Sequence, residues 1–465
     1  MRAKASLMVA LALVVSAPAA AQDVTRETLM STAERIMERK DELSRLWPGF
    51  WPSGQPFVLH HPEVGAVFGG DAAPGGPEFR SGPLPGALSA FELDYPSGAP
   101  NTVAVRFGNP DQGLNLLFHE QFHDFQQDAF RWIGGGYEEF IDPDLVSDRA
   151  GFAARAEIER RVLAEALMEP ETATRRRLVR RYLVLRRTRL QALPPEIEAV
   201  EAHREWSEGT ARYVGIQGAA IAAGRPEAVR DTIVAGLRKD LIAAEGGFMG
   251  NWFRWRAYDV GAAIAWLLDD LRADWRPRVQ AGERLDSLLD EVLGPDAAAV
   301  NPAAVLTGYD LDRLTAQIAE QLAQSPNSLA NREAFLATAP KRLTIEVDAG
   351  PELLNGVKMS FQSVTMTPLP NDAMALPDAA YFVMQLGSYE LDIRRRSVLV
   401  EQTERGLPRH TILLESMDDL GELSRLPEGT HVRDKLNLAA TGIRLTAGAT
   451  RIDVGPDEIR LFIQP

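Results

Sequence analysis

Two histidines stand four residues apart in Leu117-Phe118-His119-Glu120-Gln121-Phe122-His123-Asp124-Phe125. On an α-helix this spacing puts both imidazoles on one face, one turn apart, where a single ion can bind both. Neutral imidazole suits Zn2+, which lowers the pKa of a coordinated water to about 7. Glu120, beside the first histidine, is then placed to take that water's proton as a general base. A catalytic zinc uses three protein ligands and leaves a fourth position open. The remaining histidines, His60, His61, His203, His410 and His431, do not repeat the spacing, and there is no cysteine. A carboxylate is the better candidate for the third ligand. Glu201, Glu205 and Glu208 fall on one face of a helix running from Glu196 to about Ala222. Glu201 and Glu205 read as a solvated acidic face. Glu208 is set apart by Gly209 and Ala211, whose small size lets its helix approach the histidine helix closely.

The elements that must carry these groups follow from periodicity. Glu27 to Leu46 is helical and stops at Trp47-Pro48-Gly49. From Pro52 to Pro110 the chain is rich in glycine and proline, with strand-like runs at Phe57-Val58-Leu59, at Phe91, Leu93 and Tyr95, and at Val103, Val105 and Phe107. The histidine helix starts at Asn109-Pro110-Asp111 and runs through Gln127. Gly151 to Leu193 forms one or two long helices closed by Pro194-Pro195, followed by helices at Pro226 to Ala244 and Ala257 to Arg272. Beyond Pro340 the pattern turns to strands: Leu343 to Val347, Tyr381 to Met384, Ser397 to Val400, Thr411 to Leu414 and Ile459 to Ile463. Four segments result: 1–21, 22–110 with a small sheet, a helical 111–330, and a β-rich 340–465.

Three of these segments together carry a resemblance. His-Glu-Gln-Phe-His followed by Trp206-Ser207-Glu208-Gly209-Thr210-Ala211 resembles the gluzincin metallopeptidases, the thermolysin-like clan with two histidines and a distal glutamate. It is closest in motif to the aminopeptidase N family. Ala257-Tyr258-Asp259-Val260-Gly261-Ala262 resembles that family's Tyr-x-x-Gly-Ala at the start of a later helix. The resemblance implies His119, His123 and Glu208 as zinc ligands, Glu120 as general base, and Tyr258 as a hydrogen-bond donor to the oxyanion. It spans Thr102 to Leu271 and implies an α+β, zincin-like fold: a mainly helical catalytic core with a small N-terminal sheet, plus the β-rich C-terminal domain. An extended peptide substrate would pair with a strand edge near Val103 to Phe107. No Gly-x-Met-x-Asn sequence precedes His119, so recognition of a free amino terminus is not implied. Positions 124 to 207 would form a helical excursion beside the site.

The whole chain is compatible with this reading. Arg2 and Lys4, the apolar run Leu7 to Val15, and Ala19-Ala20-Ala21 form the pattern of a cleaved secretory signal, which makes export to the periplasm or beyond the expectation. No later stretch is long and apolar enough for stable membrane insertion. A formal charge of -15 argues against nucleic acid as a partner. Arg175 to Arg189 carries eight arginines and reads as a solvated helix face. His60-His61 reads as a surface or packed pair, and Gly134-Gly135-Gly136 as a flexible turn. Asp124 and Glu205 are both candidates to orient a ligand histidine. The expected activity is zinc-dependent peptide hydrolysis. The alternatives are a zinc-stabilised binding or scaffold protein, and a metal hydrolase of non-peptide amides or esters.

Overall fold

The computed structural model describes residues 10–11, 24–51, 54–61, 64–73, 75–82, 103–106, 110–131, 146–239, 249–271, 274–294, 300–324, 329–348, 358–362, 367–369, 373–402 and 408–464. Of the expected signal segment only β1 (Ala10–Leu11) is among them; the Ala19-Ala20-Ala21 site, the strand at 91–95 and the glycine turn at 134–136 lie outside. The protein is α+β. Contacts divide it into two compact units, Pro18–Ala87 with Phe91–Gln324, and Ser325–Pro465 with Met1–Ala17 and Leu88–Ala90.

In the first unit, α1 (Arg26–Glu38) starts where the Thr25 hydroxyl accepts from the Thr28 amide at 3.2 Å. Its buried Leu29, Ala33 and Ile36 recur at helical spacing. The short α2 (Lys40–Leu43) completes the stretch. A four-stranded sheet follows, with β2 (Phe57–His61), β3 (Gly65–Gly69), β4 (Glu78–Ser81) and β5 (Val103–Arg106) in the order β4-β3-β2-β5. β5 is parallel to β2 and stands last in the order of the described strands. His60 is buried within β2 and His61 half-buried, so this pair is packed into the sheet.

The 20-residue α3 (Pro110–Ala129) carries the histidines. Phe122 and Phe125 on it pack with Phe50 and Phe130, while Trp47 meets Phe122, Phe130 and Trp275 at ring centroid distances of 5.0 to 5.5 Å. This cluster fixes the rotation of α3 about its axis. Next come α4 (Arg149–Met168), α5 (Thr172–Leu190) and α6 (Pro195–Arg204), with Pro195 at the first turn of α6. A π-helical turn, Glu205–Gly209, links α6 directly to α7 (Thr210–Ala222), so the helix expected from Glu196 to Ala222 is one rod with a widened turn inside it. α8 (Ala228–Arg238) and the 22-residue α9 (Met249–Asp270) follow. Among the described residues no helix is long and apolar enough to cross a membrane.

Two expectations are corrected here. The basic run of α5 is not a solvated face throughout, because Arg186 and Arg189 are only 2 % exposed. Glu201 and Glu205 are not a solvated acidic face either, since both are 1 % exposed. They neutralise one another: Arg186 donates to Glu201 at 2.6 Å and Glu205 at 2.7 Å, and Arg189 holds Glu159 and Glu201, each at 2.6 Å. Arg256 of α9 also pairs with Glu201. Buried charges require such partners, and sequence spacing on separate helices does not reveal them.

The second unit is β-rich. Its strands are β6 (Lys341–Val347), β7 (Lys358–Gln362), β8 (Thr367–Leu369), β9 (Ala373–Leu386), β10 (Tyr389–Gln402), β11 (Pro408–Leu414), β12 (Gly429–Arg433), β13 (Leu436–Ala440), β14 (Ile443–Ala447), β15 (Thr450–Val454) and β16 (Glu458–Ile463). With β1 they make one 12-stranded sheet, ordered β1-β7-β9-β10-β11-β6-β16-β15-β12, with β14 beside β10, β13 beside β14 and β8 beside β9. The register of β10 against β9 shifts between Arg396 and Val398, next to Arg395 at φ 51°. Such a bulge bends a strand. Glu390–Ile393 thereby pairs with β14 and Val398–Gln402 with β11. Leu343, Phe382, Leu391, Ile412, Ile452 and Leu461 lie in the core that the bent sheet encloses.

Candidate metal centre

His119 and His123 project from one face of α3, and Glu208 reaches them from the π-turn. Nε2 of His119 and Nε2 of His123 are 3.1 Å apart. Glu208 Oε2 lies 3.1 Å from the His123 nitrogen and 3.4 Å from that of His119. Among the described residues this is the one group of three His, Cys, Asp or Glu side chains with ligand atoms all within 4.8 Å of one another. A tetrahedral ion with bonds of about 2.0–2.1 Å needs its donors roughly 3.3 Å apart. The three separations match that requirement. His119 is 3 % exposed, while His123 and Glu208 are 20 % and 18 % exposed, so the group opens to solvent on one side.

The electrostatics favour a cation. Burial lowers the pKa of His119 to about 4, against the opposing pull of Glu208, so its ring is neutral near pH 7 and offers a lone pair. Three electron-rich atoms in mutual contact repel one another unless a proton or a metal lies among them. The donor set, two imidazoles and a carboxylate, is that of a catalytic zinc site.

The π-turn separates Glu208 from the glutamates it was grouped with. A wider turn advances the chain by less rotation per residue, so Glu205 faces Arg186 while Glu208 faces the histidines. Burial, partly offset by Arg186, pushes the Glu205 carboxyl up to about 7. Burial would also raise Glu201, but Arg189, Arg256 and Arg186 outweigh it and hold that carboxyl well below the usual range.

The role given to Gly209 is also corrected. A Cβ there would lie 2.5 Å from the Gly261 Cα, so Gly209 packs on α9 and not on the histidine helix. The close approach of α7 to α3 is made by Gly215, 2.7 Å from the Asn115 carbonyl oxygen by the same measure, and by Gly218 against Phe118 at 2.5 Å.

Glu120 is buried on the same turn as His119. Tyr258 lies well inside α9 and not at a helix start, because α9 begins at Met249. Its ring stacks on His119 with centroids 5.6 Å apart and planes 12° from parallel. Among the described residues Nδ1 of His119 has no hydrogen-bond partner, and the Tyr258 face is one of the ring contacts that hold its plane, with the edge of His123 at 4.6 Å. For His123 the partner is Gln126, whose Oε1 lies 2.7 Å from Nδ1. Glu205 instead faces Arg186. Arg212, one turn beyond Glu208, donates to Asn115 Oδ1 at 3.3 Å and lies 3.6 Å from Asp259, bracing α7 between α3 and α9. Sequence reading missed both Gln126 and Arg212; a third polar residue at helical spacing after His123 was the available signal.

Compared with protein families, curated proteins and solved structures, the chain matches none.

Proposed function

We propose that this protein is an exported zinc-dependent hydrolase of the gluzincin type, with a zincin-like core, and that it cleaves peptide bonds. The carrying observation is the convergence of His119, His123 and Glu208, whose donors meet although His123 and Glu208 are 85 positions apart. Metal binding accounts for that meeting, and the glutamate at position 120 favours an enzyme over a zinc-stabilised scaffold, because ligation alone needs no carboxylate there.

Zinc, when bound, supplies Lewis-acid polarisation of the scissile carbonyl and acidifies water. The chain's own groups do the rest. Glu120 takes a proton from the attacking water and delivers it to the leaving amine. Tyr258 presents a preorganised hydroxyl to the developing oxyanion. The edge of β5 offers backbone hydrogen-bonding groups to an extended substrate. The same machinery hydrolyses non-peptide amides and esters, and a substrate screen separates these classes.

The test is Glu120→Gln in the full chain. Zinc content by elemental analysis is expected to stay at one per chain while hydrolysis of a peptide library falls by about 10²–10⁴-fold. Undiminished hydrolysis removes Glu120 from the reaction, and wild-type protein that takes up no zinc removes the proposal.

A further inference from the structure

Gln126 sits on α3 one turn beyond His123, fully buried, and each of its polar contacts has a defined polarity. The amide nitrogen lies 3.0 Å from the Ser207 carbonyl oxygen and 2.9 Å from Thr210 Oγ1. A carbonyl can only accept, so the amide atom facing it must be the nitrogen. Thr210 gives its own hydrogen to the Trp206 carbonyl at 2.6 Å, leaving Oγ1 to accept from Gln126. The amide therefore has one orientation. It turns its oxygen toward His123 Nδ1, and that oxygen requires a hydrogen on Nδ1. Neutral imidazole carries one N–H. Nε2 is left with its lone pair, aimed at His119 and Glu208.

The acceptors that fix Gln126 belong to the π-turn and its exit. A turn that departs from i→i+4 pairing leaves carbonyls for side-chain donors. Here Trp206 and Ser207 receive hydrogens from Thr210 and Gln126. The same five residues carry Glu208. One amide thus sets the tautomer of one ligand and ties its helix to the turn bearing another.

We infer that Gln126 is a positioning residue for the metal: it holds His123 as the Nδ1–H tautomer and fixes that ring relative to Glu208. The inference rests on the metal reading above. Nitrogen-15 NMR of the zinc-free full chain reads the tautomer directly, and the Nδ1–H form is expected at His123. Finding the Nε2–H form overturns the assignment whatever the metal does. Gln126→Met removes the acceptor at nearly constant length and is expected to weaken zinc about 10–100-fold in chelator competition, the usual scale for loss of a ligand's orienting partner. Gln126→Glu keeps an oxygen at Nδ1 but loses the donors to Ser207 and Thr210, so it is expected to recover the Nδ1–H signal and only part of the affinity, a rescue that a packing role does not give. If Gln126→Met fails to fold, the wild-type tautomer and the Gln126→Glu variant decide. Wild type that takes up no zinc sinks the metal reading together with this role. Zinc uptake unchanged in Gln126→Met sinks only the role of Gln126.

Discussion

An imidazole binds a metal only when its lone pair is aimed, and the two candidate ligand histidines are aimed by different forces. His123 is held by a hydrogen bond to Gln126, whereas His119 is held by the face of Tyr258. This gives Tyr258 two separable roles, a ring that orients His119 and a hydroxyl proposed for the oxyanion. Tyr258→Phe keeps the ring, so zinc affinity is expected to match wild type while kcat falls about 10²–10³-fold, the scale of losing one oxyanion donor. Tyr258→Ala loses both and should weaken zinc as well. Equal kcat for Tyr258→Phe and wild type would remove the hydroxyl from the reaction. The grouping of His119, His123 and Glu208 was legible because metal chemistry constrains residue type, and the two histidines also share a spacing along one helix. Gln126 was not, since glutamine acquires meaning only from the two carbonyls and the hydroxyl that orient it.

At the level of elements, the site is built on α3, the π-turn and α9, and the buried charge network behind it joins α5, α6 and α9. Arg186 touches both Glu201 and Glu205 and is the closer of the two buried arginines at Glu205, 2.7 Å away against 3.7 Å for Arg256. Arg186→Leu leaves buried carboxylates short of a partner and is expected to cost about 3–5 kcal/mol. Urea unfolding followed by helical circular dichroism measures it, and a cost below about 1 kcal/mol would contradict the network's role. Periodicity placed α3, α4 and α5 within a few residues but began α9 at Ala257 rather than Met249. It could not show which face of α5 is buried, because arginine reads as a surface residue until its carboxylate partners are known. The break between Glu205 and Glu208 was equally hidden, since a π-turn leaves the apolar pattern on either side intact.

On the scale of the whole molecule, the acid sensitivity of the β-rich unit can be tied to one buried histidine. His410 in β11 is 1 % exposed, and burial lowers its pKa to about 4. Its unfolded value is near 6.5, so between these values the unfolded chain binds a proton that the folded unit refuses. Stability from this group is full above about pH 6.5 and is lost as pH falls toward 4, by roughly 3 kcal/mol in total. His410→Leu is expected to flatten the pH dependence of the β-rich unit's thermal midpoint over that window. An unchanged slope would show that the proton is taken up elsewhere. The β-rich character of this unit was evident from its longest apolar runs. The strands from Gly429 to Val454 were not, because five-residue strands of alternating polarity, such as Ile443-Arg444-Leu445-Thr446-Ala447, resemble loops when read alone.

The widened turn at Glu205–Gly209 also acts as a shim. It holds one residue more than an α-turn, so everything after it is out of phase with an uninterrupted helix by about 100° of rotation and about 1.5 Å of rise. Arg212, Gly215 and Gly218 meet α3 only in that phase. A single codon's worth of chain therefore sets the meshing of two helices, and its loss would dephase them while leaving every neighbouring side chain chemically unchanged.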